Sequence, residues 1–176
     1  LLIMENYTNS ILLPDNLPET VPEDFNRLDK RYLKIIFIRI TIFAILLTGG
    51  LIAFILFSDE KIPGLVLAAI ISGIVILIAY SITISILGFP KKGYLLREKD
   101  VSYKSGLITY KQISVPFNRV QHVEVSQGVL DKIFDLSSVK IYTAGGSASD
   151  LSIPGLTFTD AQKLKAFISE KISHHE

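Results

Sequence analysis

The residues best equipped for chemistry in this chain are few and widely spaced. His122 and Glu124 stand two apart in RVQHVEVSQ, residues 119–127. A strand puts them on one face, where an imidazole beside a carboxylate suits acid–base work. No hydroxyl or metal partner accompanies them at a telling spacing, so the pair reads as part of an exposed sheet face. Gly145-Gly146-Ser147 has the composition of a phosphate-cradling loop but lacks the Lys-Ser/Thr and the following helix of a P-loop, and reads as a turn. There is no Cys, and of three His, His174 and His175 sit in the last three residues. Thiolate metal sites, disulfides and a Cys nucleophile are excluded, and zinc chemistry or a His-dependent triad is poorly supplied. No catalytic, cofactor-binding or metal-binding residue is expected, no small-molecule substrate is inferred, and an enzyme is the disfavoured class.

The remaining candidates are cations. Arg97, Lys99 and Lys104 surround the first hairpin of the polar segment, diluted by Glu98 and Asp100. Arg119, Lys132 and Lys140 are spread over the strands and corner that follow. The six are candidate lipid or partner contacts, at about 1 kcal/mol per basic residue near a charged bilayer. Arg119, Lys132 and Lys140 read first as scattered solvated charges and otherwise as one basic face toward acidic lipid or the chain's own acidic N-terminal arm. Residues 93–176 carry ten Lys/Arg and nine Asp/Glu. That balance disfavours a nucleic-acid partner, which demands clustered positive charge.

What positions these residues begins with two apolar runs. The mean hydropathy of +0.43 is high for a water-soluble chain. From Ile35 to Phe57 there are 23 residues with one charge, Arg39, and from Ile62 to Phe89 there are 28 with none. As helices they extend about 35 and 42 Å, against a hydrocarbon core of about 30 Å. Two helices apolar all round have nothing else in so short a chain to cover them, so a transmembrane hairpin over residues 27–92 is expected. Arg39 reads as an anchor whose stem reaches the headgroups. Pro63 is expected just inside the second helix. Gly49/Ala53, Ala68/Ser72 and Ala69/Gly73 have the spacing that lets helices approach closely, within the hairpin or between copies. Mid-membrane acids are missing from both runs, which argues against a transporter. Arg27, Lys30, Arg31 and Lys34 precede the first apolar run, Lys91, Lys92, Arg97 and Lys99 follow the second, and the Ser58–Lys61 linker has one Lys. Both termini are therefore expected in the cytoplasm, with the chain multi-pass in the plasma membrane. A cleaved signal peptide fits poorly, because the first run is long and a second follows at once.

Residues 1–26 hold five acids, no base, and Pro14, Pro18 and Pro22 at four-residue intervals, so a disordered or extended acidic arm is expected. Residues 93–176 read as short strands: 94–97, 101–104, 107–115, 119–127, 139 onward, and a last one in LSIPG. In the fourth, Val120 is placed with His122 and Glu124, opposite Val123 and Val125. A helix follows from Thr159, with Gln162 completing a capping box, and Ala161, Leu164, Ile168 and Ile172 along one stripe widened by Phe167. The fold class is thus a membrane α-helical hairpin plus a mainly-β domain. That domain is a bent sheet or barrel of about six or seven antiparallel strands closed by a C-terminal helix. Val129, Leu130, Ile133, Phe134 and Leu136 are expected as the apolar face of a short bridging helix, with Asp131, Lys132 and Asp135 on its wet side.

The order of Gly106-Leu107-Ile108, Pro116 with Arg119 and Val120, Gln127-Gly128 with Leu130 and Phe134, and Thr143-Ala144-Gly145 resembles the bacterial pleckstrin-homology-like (PH-like) domain of small two-span membrane proteins. The resemblance covers residues 94–172. It implies a PH-like barrel at the cytoplasmic face and an interaction module often paired with a related membrane protein, and it implies no reaction. One departure is Asp135, where the family tends to have Gly. The expected function is a membrane-anchored interaction or scaffold module assembling with itself or a related membrane protein, the lipid bilayer being its other partner. The alternative is a sensor of the anionic membrane surface.

Overall fold

The computed structural model describes residues 24–58, 62–144 and 150–173. The acidic residues 1–23, the tip of the helical hairpin and Gly145-Gly146-Ser147 lie outside them. Two long helices come first, α1 (Arg31–Phe57) and α2 (Gly64–Gly88). With its 3-10 extension through Lys91, the second reaches a mean hydropathy of 2.7, and the first 2.6; the most apolar stretches of both are uncovered by the rest of the chain. Among the described residues, neither stretch is a helix buried in this chain's own core. Pro63 sits one residue before α2 rather than within it, and its carbonyl accepts the amide hydrogen bonds of Val66 and Leu67 at 2.9 and 3.1 Å.

Among the described residues, seven antiparallel strands form two sheets. Strands β1 (Asn26–Arg27), β2 (Gly93–Leu96), β3 (Asp100–Ser105) and β4 (Lys111–Pro116) make the first, in that order. Strand β1 precedes the hairpin in sequence and pairs with β2 after it, Asn26 opposite Tyr94, so both ends of the hairpin are stitched to one sheet. The second sheet is β5 (Val120–Ser126), β6 (Leu136–Thr143) and β7 (Leu151–Thr157). A short helix, α3 (Val129–Ile133), joins β5 to β6, and α4 (Phe158–Ser173) follows β7. Ala161, Leu164 and Ile168 of α4 are buried against Phe117, Val123, Ile141 and Ile153, as the stripe in the sequence implied. This is the PH-like barrel with its closing helix.

Local departures have physical causes. Residues 107–110 form the turn before β4 instead of its first half. Gly106 has φ 118°, and a Cβ there would lie 1.8 Å from the Thr109 carbonyl oxygen, so the chain must turn at once. The start of α4 is capped two residues earlier than TDAQ suggests. Thr157 Oγ1 accepts from the Asp160 amide at 3.1 Å and donates to the Asp160 carboxylate at 2.8 Å. Val120 is buried rather than sharing the outward face of His122, because a bulge between the two residues shifts the phase of the strand and turns both Val120 and Val123 inward.

The corner at α3 keeps Lys132 and Asp135 exposed and Leu136 buried as expected, but departs from the expected pattern at Val129, Asp131 and Ile133. Asp131 is 7% exposed, whereas Val129 and Ile133 are 82% and 69% exposed. The Asp131 carboxylate accepts from the Gly128 amide at 3.0 Å, which caps the short helix and draws Asp131 inward. On so short a helix that single bond fixes the rotation, and Val129 and Ile133 are turned out. Leu136 alone of the expected apolar face is fully buried. Asp135 has φ 54°, the left-handed conformation that explains why Gly suits this position.

Candidate functional site

The two helices meet the domain differently, and the junction is the most elaborated part of the structure. Leu28, just before α1, is buried in the barrel's core, and Ile35, one turn into α1, is fully buried at 0% exposure outside that core cluster, so the start of α1 is packed against the domain. Asp29 organises the entry. Its carboxylate accepts from the Arg31 amide at 2.7 Å and from the Arg31 guanidinium at 2.9 and 3.1 Å. The same guanidinium donates to the Phe134 carbonyl at 3.1 Å, tying α1 to the α3 corner. Hydrogen bonding from Arg31 holds the Asp29 carboxyl below its ordinary value. The Asp29 amide donates to the Gly155 carbonyl at 2.9 Å. Gly155 has φ 68°, and a Cβ there would meet the Tyr32 ring at 2.7 Å, so the strand lies directly on the helix.

Beside this clamp a cleft of about 530 Å³ opens between α1, α2 and the β3–β4 turn. Arg39 and Tyr32 line it from α1, Ser81 and Ser85 from α2, Lys92 from the segment after α2, and Leu107 from the turn. Burial lowers the Lys92 ammonium from its ordinary value. It lies 6.0 Å from the Tyr32 ring centroid and has no carboxylate partner among the described residues. The nearest carboxylate to Arg39 is that of Asp131, at 4.0 Å. Ser81 and Ser85 donate to the Leu77 and Ser81 carbonyls of their own helix, at 2.8 and 2.7 Å. A smaller apolar groove of about 210 Å³ shares Arg39, Ile40 and Ser81 with the cleft and continues along the helix pair past Phe43, Leu77 and Ile78.

The six cations expected from sequence to make contacts do not converge. Arg97 pairs with Asp100 at 3.2 Å, and Lys99 is exposed in the same turn. Lys104 covers the Phe25 ring at 3.9 Å. Arg119 lines a separate hollow with Asp150 and Thr143, Lys132 is exposed on α3, and Lys140 lies 3.6 Å from Glu124. His122 and Glu124 do share a face, but with other partners. His122 stacks on Tyr142 at 4.2 Å, and Tyr142 Oη donates to the Glu124 carboxylate at 2.9 Å. That bond, ahead of the Lys140 charge, holds the Glu124 carboxyl below its ordinary value. The result is a polar, aromatic patch on the outer face of β5 and β6. In the sequence, Lys92 stands only as a flanking charge and Arg39 only as an interfacial anchor. The signal that joins them is that both flank the same end of an antiparallel hairpin.

A helical hairpin able to cross a membrane, carrying a PH-like barrel, defines the class. Residues 34–172 match the bacterial PH domain family, and the chain belongs to it. It is 41% identical over 76 residues to the UPF0699 transmembrane protein YdbS of Bacillus subtilis (strain 168). That alignment covers 43% of this chain and 46% of the relative, so the chain spans less than half of the relative's length. No solved structure matches.

Proposed function

We propose that the chain is a membrane-anchored interaction module without catalytic activity of its own, assembling with itself or with a second membrane protein. The observation that carries this reading is the clamp. Because Leu28 lies in the barrel's core and the Asp29 and Arg31 hydrogen bonds tie the start of α1 to Gly155 and Phe134, the barrel is held at a fixed height and angle on α1 rather than swinging on a tether. A pre-set orientation lowers the entropic cost of association. The face it would offer is the His122–Tyr142 patch with Glu124 and Lys140, an aromatic and polar surface of the kind protein partners use. In the membrane, a Cβ added at Gly49 or Gly73 would meet nothing within 4 Å, so these small residues are open to a helix from another chain instead of packing within the hairpin. Basic residues on both sides of the hairpin support a plasma-membrane protein with both termini cytoplasmic.

Detergent-solubilised full chain on a sizing column with light scattering, with a photo-crosslinking side chain at His122 in the native membrane, tests this. An oligomer or a single crosslinked membrane partner is expected. A strict monomer that yields no crosslink overturns the reading. A reporter fused after Glu176 should be cytoplasmic, and an external one refutes the orientation.

A further inference from the structure

We infer that the cleft between α1, α2 and the β3–β4 turn binds one anionic phospholipid, its phosphodiester between Arg39 and Lys92 and an acyl chain in the groove past Phe43 and Leu77. The inference is independent of whether the module has a protein partner.

Depth is the first argument. From Arg39 to the end of α1 at Phe57 is about 27 Å of helix, and from Gly64 to Ser81 about 26 Å. Those distances approach the hydrocarbon thickness of about 30 Å, which sets Arg39 and Ser81 where acyl chains give way to headgroups. Charge is the second. Arg39 and Lys92 are both cationic and both line the cleft, while no Asp or Glu does. Lys92 is half-buried without an anion beside it, and an ammonium withdrawn from water is stabilised by one. Asp131 is within 4.0 Å of Arg39 but already accepts the Gly128 amide, so the guanidinium retains donors for a phosphate.

Shape decides between a lipid and a free phosphate. The adjoining groove shares Arg39, Ile40 and Ser81 with the cleft and continues between the two helices, lined further by Phe43, Leu77 and Ile78. A soluble phosphate has no use for such a continuation, whereas a diacyl lipid fills both parts. The β3–β4 turn walls the cleft with Leu107 and exposes Ile108 and Tyr110 beside it. Those side chains suit the same interfacial layer, where aromatic residues collect.

The test is native mass spectrometry of the delipidated full chain in detergent. It is titrated with phosphatidylglycerol, with phosphatidylcholine of the same acyl chains, and with glycerol phosphate alone. One phosphatidylglycerol per chain should be retained, at least tenfold more tightly than phosphatidylcholine. Lys92→Gln should weaken it about tenfold or more. Lys132→Gln, outside the cleft, should change it by no more than the roughly fivefold that general surface attraction contributes. Lys92→Arg should restore binding, which separates loss of charge from loss of fold. Equal retention of the two lipids, equal effects of Lys92→Gln and Lys132→Gln, or glycerol phosphate binding as tightly as the lipid would each overturn the inference.

Discussion

Helices α1 and α2 are near twins in hydropathy, 2.6 against 2.7, yet they enter the domain by opposite means. Helix α1 buries Ile35 completely at its foot, follows Leu28 in the barrel's core, and is fixed by Asp29, Arg31 and Tyr32. Helix α2 passes through a 3-10 turn, Phe89–Lys91, into β2. Its only buried residue is Gly88, where an added Cβ would stand 3.6 Å from Leu107. One helix is therefore a bolt, and the other is mostly a wall facing lipid and the cleft. Hydropathy averages cannot separate the two, because Ile35 contributes the same value whether it is covered by protein or by acyl chains.

The comparison breaks most directly at Ile35. Ile35→Ala should lower the stability of the soluble domain by about 2–5 kcal/mol, the cost of a large-to-small change in a closed interior. Ile86→Ala on the exposed face of α2 should cost under about 1 kcal/mol, since its side chain faces lipid whether or not the domain is folded. Urea unfolding of the detergent-solubilised chain, followed by far-UV circular dichroism, measures both. Similar losses at the two positions would mean that the foot of α1 is not packed on the domain.

Gly155→Ala approaches the same bolt from the strand side. Its methyl group would collide with the Tyr32 ring in a left-handed backbone position, and overpacking of this kind costs about 1–3 kcal/mol. Tyr32→Ala in the same chain should recover part of the loss, and a double-mutant cycle reads that coupling. Strict additivity would show that the ring and the strand do not touch.

How much of this was legible in the sequence follows from which interactions are local. The two apolar runs, the α4 stripe and most strands are repeating patterns, and they stand where periodicity put them. The corner at α3 does not repeat. Val129 and Ile133 fit a buried face, yet a single hydrogen bond from the Gly128 amide to the Asp131 carboxylate turns them outward. The cleft is less legible still. Arg39 and Lys92 are 53 positions apart, and only the return of the hairpin sets them together. Arg97, Lys99 and Lys104 share the first hairpin in sequence, yet Arg97 pairs with Asp100 and Lys104 covers Phe25, while Arg119, Lys132 and Lys140 stand in a hollow, on α3 and beside Glu124.

The Asp29–Arg31 pair sharpens the comparison by pH. Arg31 keeps the Asp29 carboxyl below its usual value of about 4, so the folded state favours the ionised form. This contribution is complete above that ordinary value and fades as pH falls through the lowered one. Urea midpoints measured from pH 6 down to pH 3 should fall less steeply in Asp29→Asn than in the unaltered chain, with the variant less stable at pH 6. Parallel slopes would show that the pair does not hold the bolt. The effect should be smaller than that of Gly155→Ala, because the Arg31 side chain is 40% exposed and solvent screens the pair.

The smallest effect is expected at Asp135, which closes the α3 corner against the bolt. Its left-handed backbone costs an ordinary side chain roughly 1–2 kcal/mol, and Asp less, because its short carboxylate tolerates that region. Gly removes the strain but gains freedom in the unfolded chain, and these terms oppose each other. Asp135→Gly should therefore shift stability by under about 1 kcal/mol, toward greater stability. Asp135→Val should lower it by roughly 1–2 kcal/mol, because a β-branched residue resists φ near 54°. Asp135→Asn keeps the conformational tolerance and removes the charge facing Arg31. If Asn is harmless while Val is not, the position is set by backbone geometry. If Asn costs as much as Val, the carboxylate's attraction for Arg31 is what holds the corner to α1.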